Sequence, residues 1–134
     1  MNTIEGKYLE DLRCEMKHLK SGVLIHTDAP IDNNGKGESF SPTDLLAAAL
    51  GSCMLTILAI RANTKRIDIG TPNYTIKKIM DANPRRVKAI EIEISFEKSI
   101  LLDDRKYLEN EALNCPVALS LSKDLEQKVT FKYN

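Results

Sequence analysis

One long apolar segment in the middle of the chain constrains the fold more than any other feature. Across residues 45–60 only Ser52 and Thr56 break a run of apolar and small side chains. A helix that is apolar on nearly all sides must be buried on most of them. Gly51 and Ser52 interrupt the run, and its ends are polar, so we expect a core helix and no membrane span.

The residues before this segment predict where the helix begins. Ser41 suits the N-cap, Pro42 the first helical position, and Asp44 the reciprocal position of a capping box. We therefore predict a helix from about Pro42 to about Thr64. The cap interpretation of Asp44 is favoured over a catalytic carboxylate, which stays open as the alternative.

Length and charge narrow the class of protein. The chain has 134 residues, which predicts a single domain spanning 1–134. Lys plus Arg and Asp plus Glu both number 19, so no net charge attracts nucleic acid, and we expect no nucleic-acid partner. The N-terminus resembles no signal peptide. We therefore expect the cytoplasm, where a disulfide is more often catalytic or sensing than structural.

Alternating patterns predict the remaining elements. In the N-terminal part we expect strands at 7–17 and 22–27, which would form a hairpin, and a loop at 28–39. After the central helix the predicted elements are a strand at 73–82, a strand at 87–98, a helix at 103–112, a short helix at 116–123 and a strand at 128–132. This order predicts an α+β fold with a mostly antiparallel sheet. Two hydrophobic helices on one modest sheet leave apolar surface uncovered, so we expect a homodimer.

Two of the three cysteines are candidates for chemistry. Cys53 lies midway along the predicted helix, where a buried thiol is most often inert packing. If Cys53 reacts, a cation from elsewhere must favour its thiolate. Cys115 precedes Pro116 at a predicted helix junction, so it is either a second core thiol or a resolving thiol for Cys53. We expect no chemical role for Cys14.

Metal and phosphate sites are not indicated. His18 and His26 are far apart, and the chain contains no helical HxxxH or CxxC pair, so we expect no metal and no cofactor. No glycine-rich phosphate loop follows a strand, and Gly35 and Gly37 are interpreted as ordinary loop residues.

Two motifs carry a resemblance to a known family. The run 41–53 (SPTDLLAAALGSC) and the triplet 114–116 (NCP) resemble the OsmC/Ohr family, the osmotically inducible protein C and organic hydroperoxide resistance proteins. The resemblance extends over nearly the whole chain, including 21–30, and is closest to the OsmC-like branch. It implies an intertwined α+β homodimer with two sites, each drawing on both subunits.

The resemblance also implies an activity, that of a thiol-dependent peroxidase for organic hydroperoxides. Cys53 matches the peroxidatic cysteine and Cys115 the resolving one. Arg13 matches the catalytic arginine of the N-terminal strand region, which would supply the missing cation. The peroxidases carry a glutamate directly after the motif proline; here that position is Thr43, and the acid follows at Asp44. One residue is a rotation of about 100° on a helix.

Two hypotheses follow. In the first, Cys53 reduces a small-molecule hydroperoxide, a disulfide forms with Cys115, and a dithiol reductant restores both thiols. Apolar walls would favour a peroxide with a carbon tail; the expected pocket residues are Leu46, Leu50, Met54 and Ile57. In the second, motivated by Thr43 and Asp44, the same fold is a non-catalytic module that binds a small ligand or senses redox state.

Overall fold

Two three-stranded sheets and three α-helices make up the computed structural model, which describes residues 1–134. The strands are β1 (Ile4–Glu10), β2 (Arg13–His18), β3 (Leu24–Asp28), β4 (Asn73–Ala82), β5 (Arg85–Ser95) and β6 (Glu126–Lys132). The helices are α1 (Pro42–Thr64), α2 (Leu102–Leu113) and α3 (Pro116–Ser120), with a 3-10 turn at Ile31–Asn33. Contacts group the chain into two compact units, 1–46 and 47–134. The α+β class is confirmed.

The N-terminal unit is an antiparallel meander in the order β1-β2-β3. The prediction of one strand over 7–17 is wrong, because the chain turns sharply after Glu10. Glu10, Asp11 and Leu12 all have positive φ, of 77°, 53° and 63°. Of the three only Asp11 is a residue type that turns favour, so the turn signature in the sequence is weak. The register places Arg13 of β2 directly opposite Asp28 of β3.

The C-terminal unit holds the second sheet, in the order β4-β5-β6. β4 and β5 form a hairpin around Asn83-Pro84, and β6 pairs with β5 in parallel. In β5 the side chains of Ile90, Ile92 and Ile94 are buried, and those between them are half-buried. The period of two predicts this pattern, because neighbouring side chains point to opposite faces.

Helix α1 begins and ends where the sequence predicts. The Ser41 N–H donates to Asp44 Oδ2 at 3.0 Å, and the Asp44 N–H donates to Ser41 Oγ at 3.0 Å. These reciprocal bonds are the predicted capping box. Asp44 therefore acts as a cap for α1.

The core lies entirely in the C-terminal unit. Its α1 members recur every three or four residues: Ala47, Leu50, Gly51, Met54, Leu58 and Ala62. They pack with the buried side chains of β5 and with Leu108, Ala112 and Cys115. The buried stripe is narrower than the apolar run of the sequence, and Ile60 remains 47% exposed. By length and composition α1 is the one helix that could cross a membrane, a test that core helices also pass.

Candidate active site

Cys53 lies at the border of the buried stripe of α1. It is half-buried and packs against the core cluster without joining it. At about 100° per residue, Ile57 and Ile60 lie within about 40° of Cys53 around the helix axis. Both are partly exposed, so Cys53 shares its helix face with accessible apolar side chains.

Cys115 lies at the junction of two helices and has no exposed surface. α2 ends at Leu113, and Asn114 is its C-cap. Cys115 is the N-cap of α3, where its Sγ accepts from the Ala118 N–H at 3.5 Å, and Pro116 occupies the first turn. The residue before a proline avoids helical geometry, so the sequence itself separates α2 from α3 here.

The structure brings these two thiols together. Burial raises the pKa of Cys115, and a hydrogen bond to the Cys53 side chain and repulsion from its charge raise it further, although the Ala118 N–H opposes them. Both thiols are free. The buried Cys115 is therefore held as the neutral S–H and faces a more accessible sulfur.

Arg13 is held by two carboxylates in the N-terminal unit. Its Nε and Nη2 donate to the two oxygens of Asp28 at 2.6 and 2.9 Å, and Nη2 also reaches Glu38 Oε1 at 3.3 Å. Such a two-pronged pair fixes the plane of the guanidinium. The Arg13 bond holds the pKa of Asp28 below its usual range against the cost of burial, with help from the Glu38 backbone N–H. The same Asp28 contacts raise the pKa of Arg13.

Asp28 is nearly inaccessible, with a side chain 2% exposed, whereas that of Arg13 is 37% exposed. Its Oδ2 also accepts from the Glu38 N–H at 3.0 Å, so it joins β2, β3 and the following loop. Arg13, Glu38, His26 and neighbouring residues border a cavity of about 390 Å³. Arg13 thus presents a fixed cation at an accessible surface.

Other predicted site residues fall in different places. Leu50 and Met54 have no exposed surface and belong to the core, and their role in a substrate pocket stays a prediction. On α1, Leu50 and Met54 face the second sheet, whereas Ile57 lies beside Cys53. Leu46 is 36% exposed. Asp44 contacts Ser41 in the cap and is not the acid that Arg13 binds.

Sequence reasoning missed two acids and one apolar residue. Asp28 and Glu38 hold Arg13, and Ile60 extends the exposed face of Cys53. Correct strand pairing would have found Asp28, because it lies directly across from Arg13. No group of three or more His, Cys, Asp or Glu side chains is arranged to hold a metal ion in the structure.

Comparison with known proteins agrees with this architecture. The profile of the family described as "OsmC-like protein" matches residues 35–130. No curated protein matches the sequence.

Solved structures show the same fold. One from Psychrobacter arcticus 273-4, whose name refers to an osmotic stress induced and detoxification response, is 48% identical, with a TM-score of 0.94 over 98% of this chain and 96% of that one. An organic hydroperoxide resistance protein from Legionella pneumophila has a TM-score of 0.78 at 15% identity, covering 98% of both chains. Another from Elizabethkingia anophelis has a TM-score of 0.77 at 17% identity, over 100% of this chain and 98% of that one. The last two similarities concern the fold alone.

Proposed function

Because this chain belongs to the OsmC-like protein family, we propose that it is a thiol-dependent peroxidase that reduces organic hydroperoxides. The observation that supports this most directly is the pairing of Cys53 with Cys115. Cys53 is a half-buried free thiol, and the buried Cys115 is near enough for the Cys53 side chain to raise its pKa. Peroxide reduction through a disulfide needs one thiol to be oxidised and a second to condense with it.

The proposed reaction begins at Cys53. Its thiolate attacks one oxygen of the hydroperoxide, the O–O bond breaks, and the alcohol leaves with a proton. The sulfur is oxidised to a sulfenic acid. Cys115 then attacks that sulfur, an S–S bond forms, and the hydroxyl leaves as water with the Cys115 proton. A dithiol reductant of the reducing cytoplasm restores both thiols by exchange.

We assign Arg13 the role of the cation that favours the Cys53 thiolate. A thiolate is the nucleophile, and a nearby arginine stabilises it. The buried Asp28 keeps the guanidinium in one orientation. Asp28 thereby takes the place of the acid that the peroxidases carry after the motif proline. The proposed assembly is a homodimer whose sites draw on both copies.

The substrate preference follows from the face on which Cys53 lies. Ile57 and Ile60 are partly exposed beside it and favour a carbon tail over water. We therefore infer that a hydroperoxide with an apolar substituent reacts faster than hydrogen peroxide.

The test uses the reduced protein and one equivalent of cumene hydroperoxide, followed by alkylation and mass spectrometry. The proposal expects a rapid Cys53–Cys115 disulfide with Cys14 left alkylated. C115S should still consume one equivalent and accumulate a sulfenic acid that dimedone traps, whereas C53S should consume none. A Cys53 that stays reduced for minutes would contradict peroxidase activity.

A second candidate is a binding or redox-sensing module without efficient turnover. Thr43 at the position of the family glutamate favours it, as does the use of Asp44 as a helix cap. Sustained turnover with a dithiol reductant would exclude this candidate. Stoichiometric oxidation without turnover would favour it.

A further inference from the structure

Two contacts join the C-terminal end of α1 to α2. Arg61 Nε lies 2.8 Å from Glu111 Oε1, and Lys65 Nζ lies 3.7 Å from the centroid of the Tyr107 ring. Lys65 directly follows α1, and its N–H still donates to the Arg61 carbonyl. Within each helix the two members are four residues apart, so they lie one above the other on one face. We call these two contacts the α1–α2 ladder.

The ladder defines how the two segments are aligned. Residue numbers rise along α1 from Arg61 to Lys65 while their partners on α2 fall from Glu111 to Tyr107, so the segments run antiparallel. Glu111 lies four residues before Cys115, and Arg61 lies eight residues after Cys53. The ladder therefore joins the two segments that carry the thiols, and the Cys53 side chain influences that of Cys115.

The immediate hydrogen bonds of Cys115 lie within its own junction. Its N–H donates to the Ala112 carbonyl at 3.3 Å, its Sγ accepts from the Ala118 N–H at 3.5 Å, and its carbonyl accepts from the Leu119 N–H at 3.0 Å. None of these bonds reaches α1. The Glu111 side chain, one turn before Cys115, is 28% exposed and has a charged partner at 2.8 Å. The ladder therefore adds charged contacts between α2 and α1 to the apolar packing of Cys115 in the core.

We propose that the α1–α2 ladder is a positioning device that holds the Cys115 sulfur against the Cys53 sulfur so that their disulfide closes. The proposal deepens the peroxidase assignment and rests on it for the oxidant. In the closing step the S–S bond forms, the S–O bond of the Cys53 sulfenic acid breaks, and water leaves with the Cys115 proton. Arg61, Lys65, Tyr107 and Glu111 take no part in these bond changes.

The experiment measures the effective concentration of the Cys53–Cys115 disulfide in glutathione redox buffers, with Cys14 replaced by Ser throughout. This equilibrium reports how closely the two sulfurs are held and requires no hydroperoxide. We expect E111A to lower the effective concentration by up to about fivefold, the scale of one partly exposed ion pair. The charge reversal R61E/E111R should recover most of the loss. Y107A should also lower the value, while Y107F keeps the ring face and should match the parent protein.

K106A is the matched control, because it removes an exposed charge from the same helix and should leave the value unchanged. The alkylation rate of Cys53 and the circular dichroism of each variant should stay at the parent level, which separates positioning from a general loss of structure. Should Y107A unfold, the charge-reversal pair decides alone. If R61E/E111R recovered none of the effective concentration lost in E111A, the ladder would be contradicted. An effective concentration in E111A equal to that of the parent would contradict it as well.

Failure of the ladder and failure of the peroxidase proposal give different results. A parent protein that ignores hydroperoxide but shows the ladder dependence in glutathione retains the positioning device and loses the activity. A parent protein that reduces hydroperoxide, with a disulfide insensitive to E111A and Y107A, retains the activity and overturns the device. A parent protein that forms no Cys53–Cys115 disulfide in glutathione also overturns it.

Discussion

The two units of the chain hold their proposed functional residues by different kinds of interaction. Every buried apolar side chain belongs to residues 47–134, and Cys53 and Cys115 pack in or beside that core. In residues 1–46 the buried side chains are Thr27, Asp28 and Ser41, all polar. Arg13 is therefore fixed by charge and hydrogen bonds alone, whereas the thiols also have an apolar core around them.

The N-terminal unit lacks buried apolar side chains of its own. All seven residues of β1 are exposed, and Leu24 and Ile25 of β3 are 50% and 47% exposed. A three-stranded sheet needs a hydrophobic face or a packing partner to be stable on its own. These side chains give a physical reason for the proposed homodimer, because a second copy would cover surface that this unit does not cover itself.

The largest predicted effect compares how much a truncated side chain in each unit lowers the free energy of unfolding. L58A removes a fully buried side chain from α1 and should lower the free energy of unfolding by about 3 kcal/mol. Denaturant unfolding at several protein concentrations measures it, and the loss should not depend on concentration.

L24A is the matched deletion in the N-terminal unit. In dilute protein it should cost less than about 0.5 kcal/mol, because half of the side chain is already exposed. A loss as large as that of L58A at every concentration would erase the proposed contrast. A loss that appears only in concentrated protein would indicate that β3 is covered by a second copy.

The second prediction addresses the charged anchor. D28N removes the carboxylate charge that Arg13 contacts through two nitrogens. It should slow the oxidation of Cys53 by cumene hydroperoxide about tenfold, because a loss of interaction worth one pKa unit changes the thiolate population about tenfold. R13A should slow the oxidation of Cys53 more than D28N does, by about a hundredfold in total, which corresponds to two pKa units. Stopped-flow measurement of the second-order rate constant gives both values.

E38Q is the control for this prediction. Its carboxylate contacts Arg13 at 3.3 Å but is 62% exposed, so the rate should change by less than about twofold. If D28N and E38Q had equal effects, the distinction between a buried and an exposed acid would be wrong.

Sequence patterns predicted the C-terminal unit better than the N-terminal one. The apolar run and the capping box predict α1, and the alternation of Ile and Glu predicts β5, because both are buried against one core. The turn at Glu10, Asp11 and Leu12 was missed, since only Asp11 is a residue type that favours positive φ. That turn is held instead by longer-range bonds, such as the Ala29 N–H to the Leu12 carbonyl.

The same limit applies to the candidate site. The two motifs pointed to Cys53 and Cys115, and the family resemblance of the N-terminal region pointed to Arg13; in the structure the Cys53 side chain influences that of Cys115. The acid that holds Arg13 is 15 residues away, and it comes close only through the β2–β3 register. A one-residue change in register would have moved Asp28 to the other face, so the pair is a property of tertiary structure.

A smaller effect tests how closely α1 approaches β4 at Gly51. A Cβ at Gly51 would lie 2.6 Å from Ile76 Cδ1 and 3.2 Å from Tyr74 Cε2. G51A should therefore cost about 1 kcal/mol in unfolding free energy, since Ile76 can yield in part. The double variant G51A/I76V, which removes Cδ1, should lose less than the sum of the single variants. Strict additivity would show that the two side chains do not meet.

The smallest predicted effect is the pH dependence that Cys115 gives to the reduced C-terminal unit. Burial and the neighbouring Cys53 raise its pKa in the folded protein, so folding favours the neutral thiol. Between the unfolded pKa of about 8.5 and the higher folded one, the unfolded chain holds fewer protons. This contribution to stability is complete below about pH 8.5 and is lost as the pH rises through the folded pKa.

Chemical unfolding of the reduced protein from pH 7 to 10 measures the slope of unfolding free energy against pH. C115S should remove most of it and C14S should leave it, because Cys14 lies on β2 among polar neighbours. An unchanged slope in C115S would mean that the buried thiol is not what distinguishes the alkaline stability of this unit.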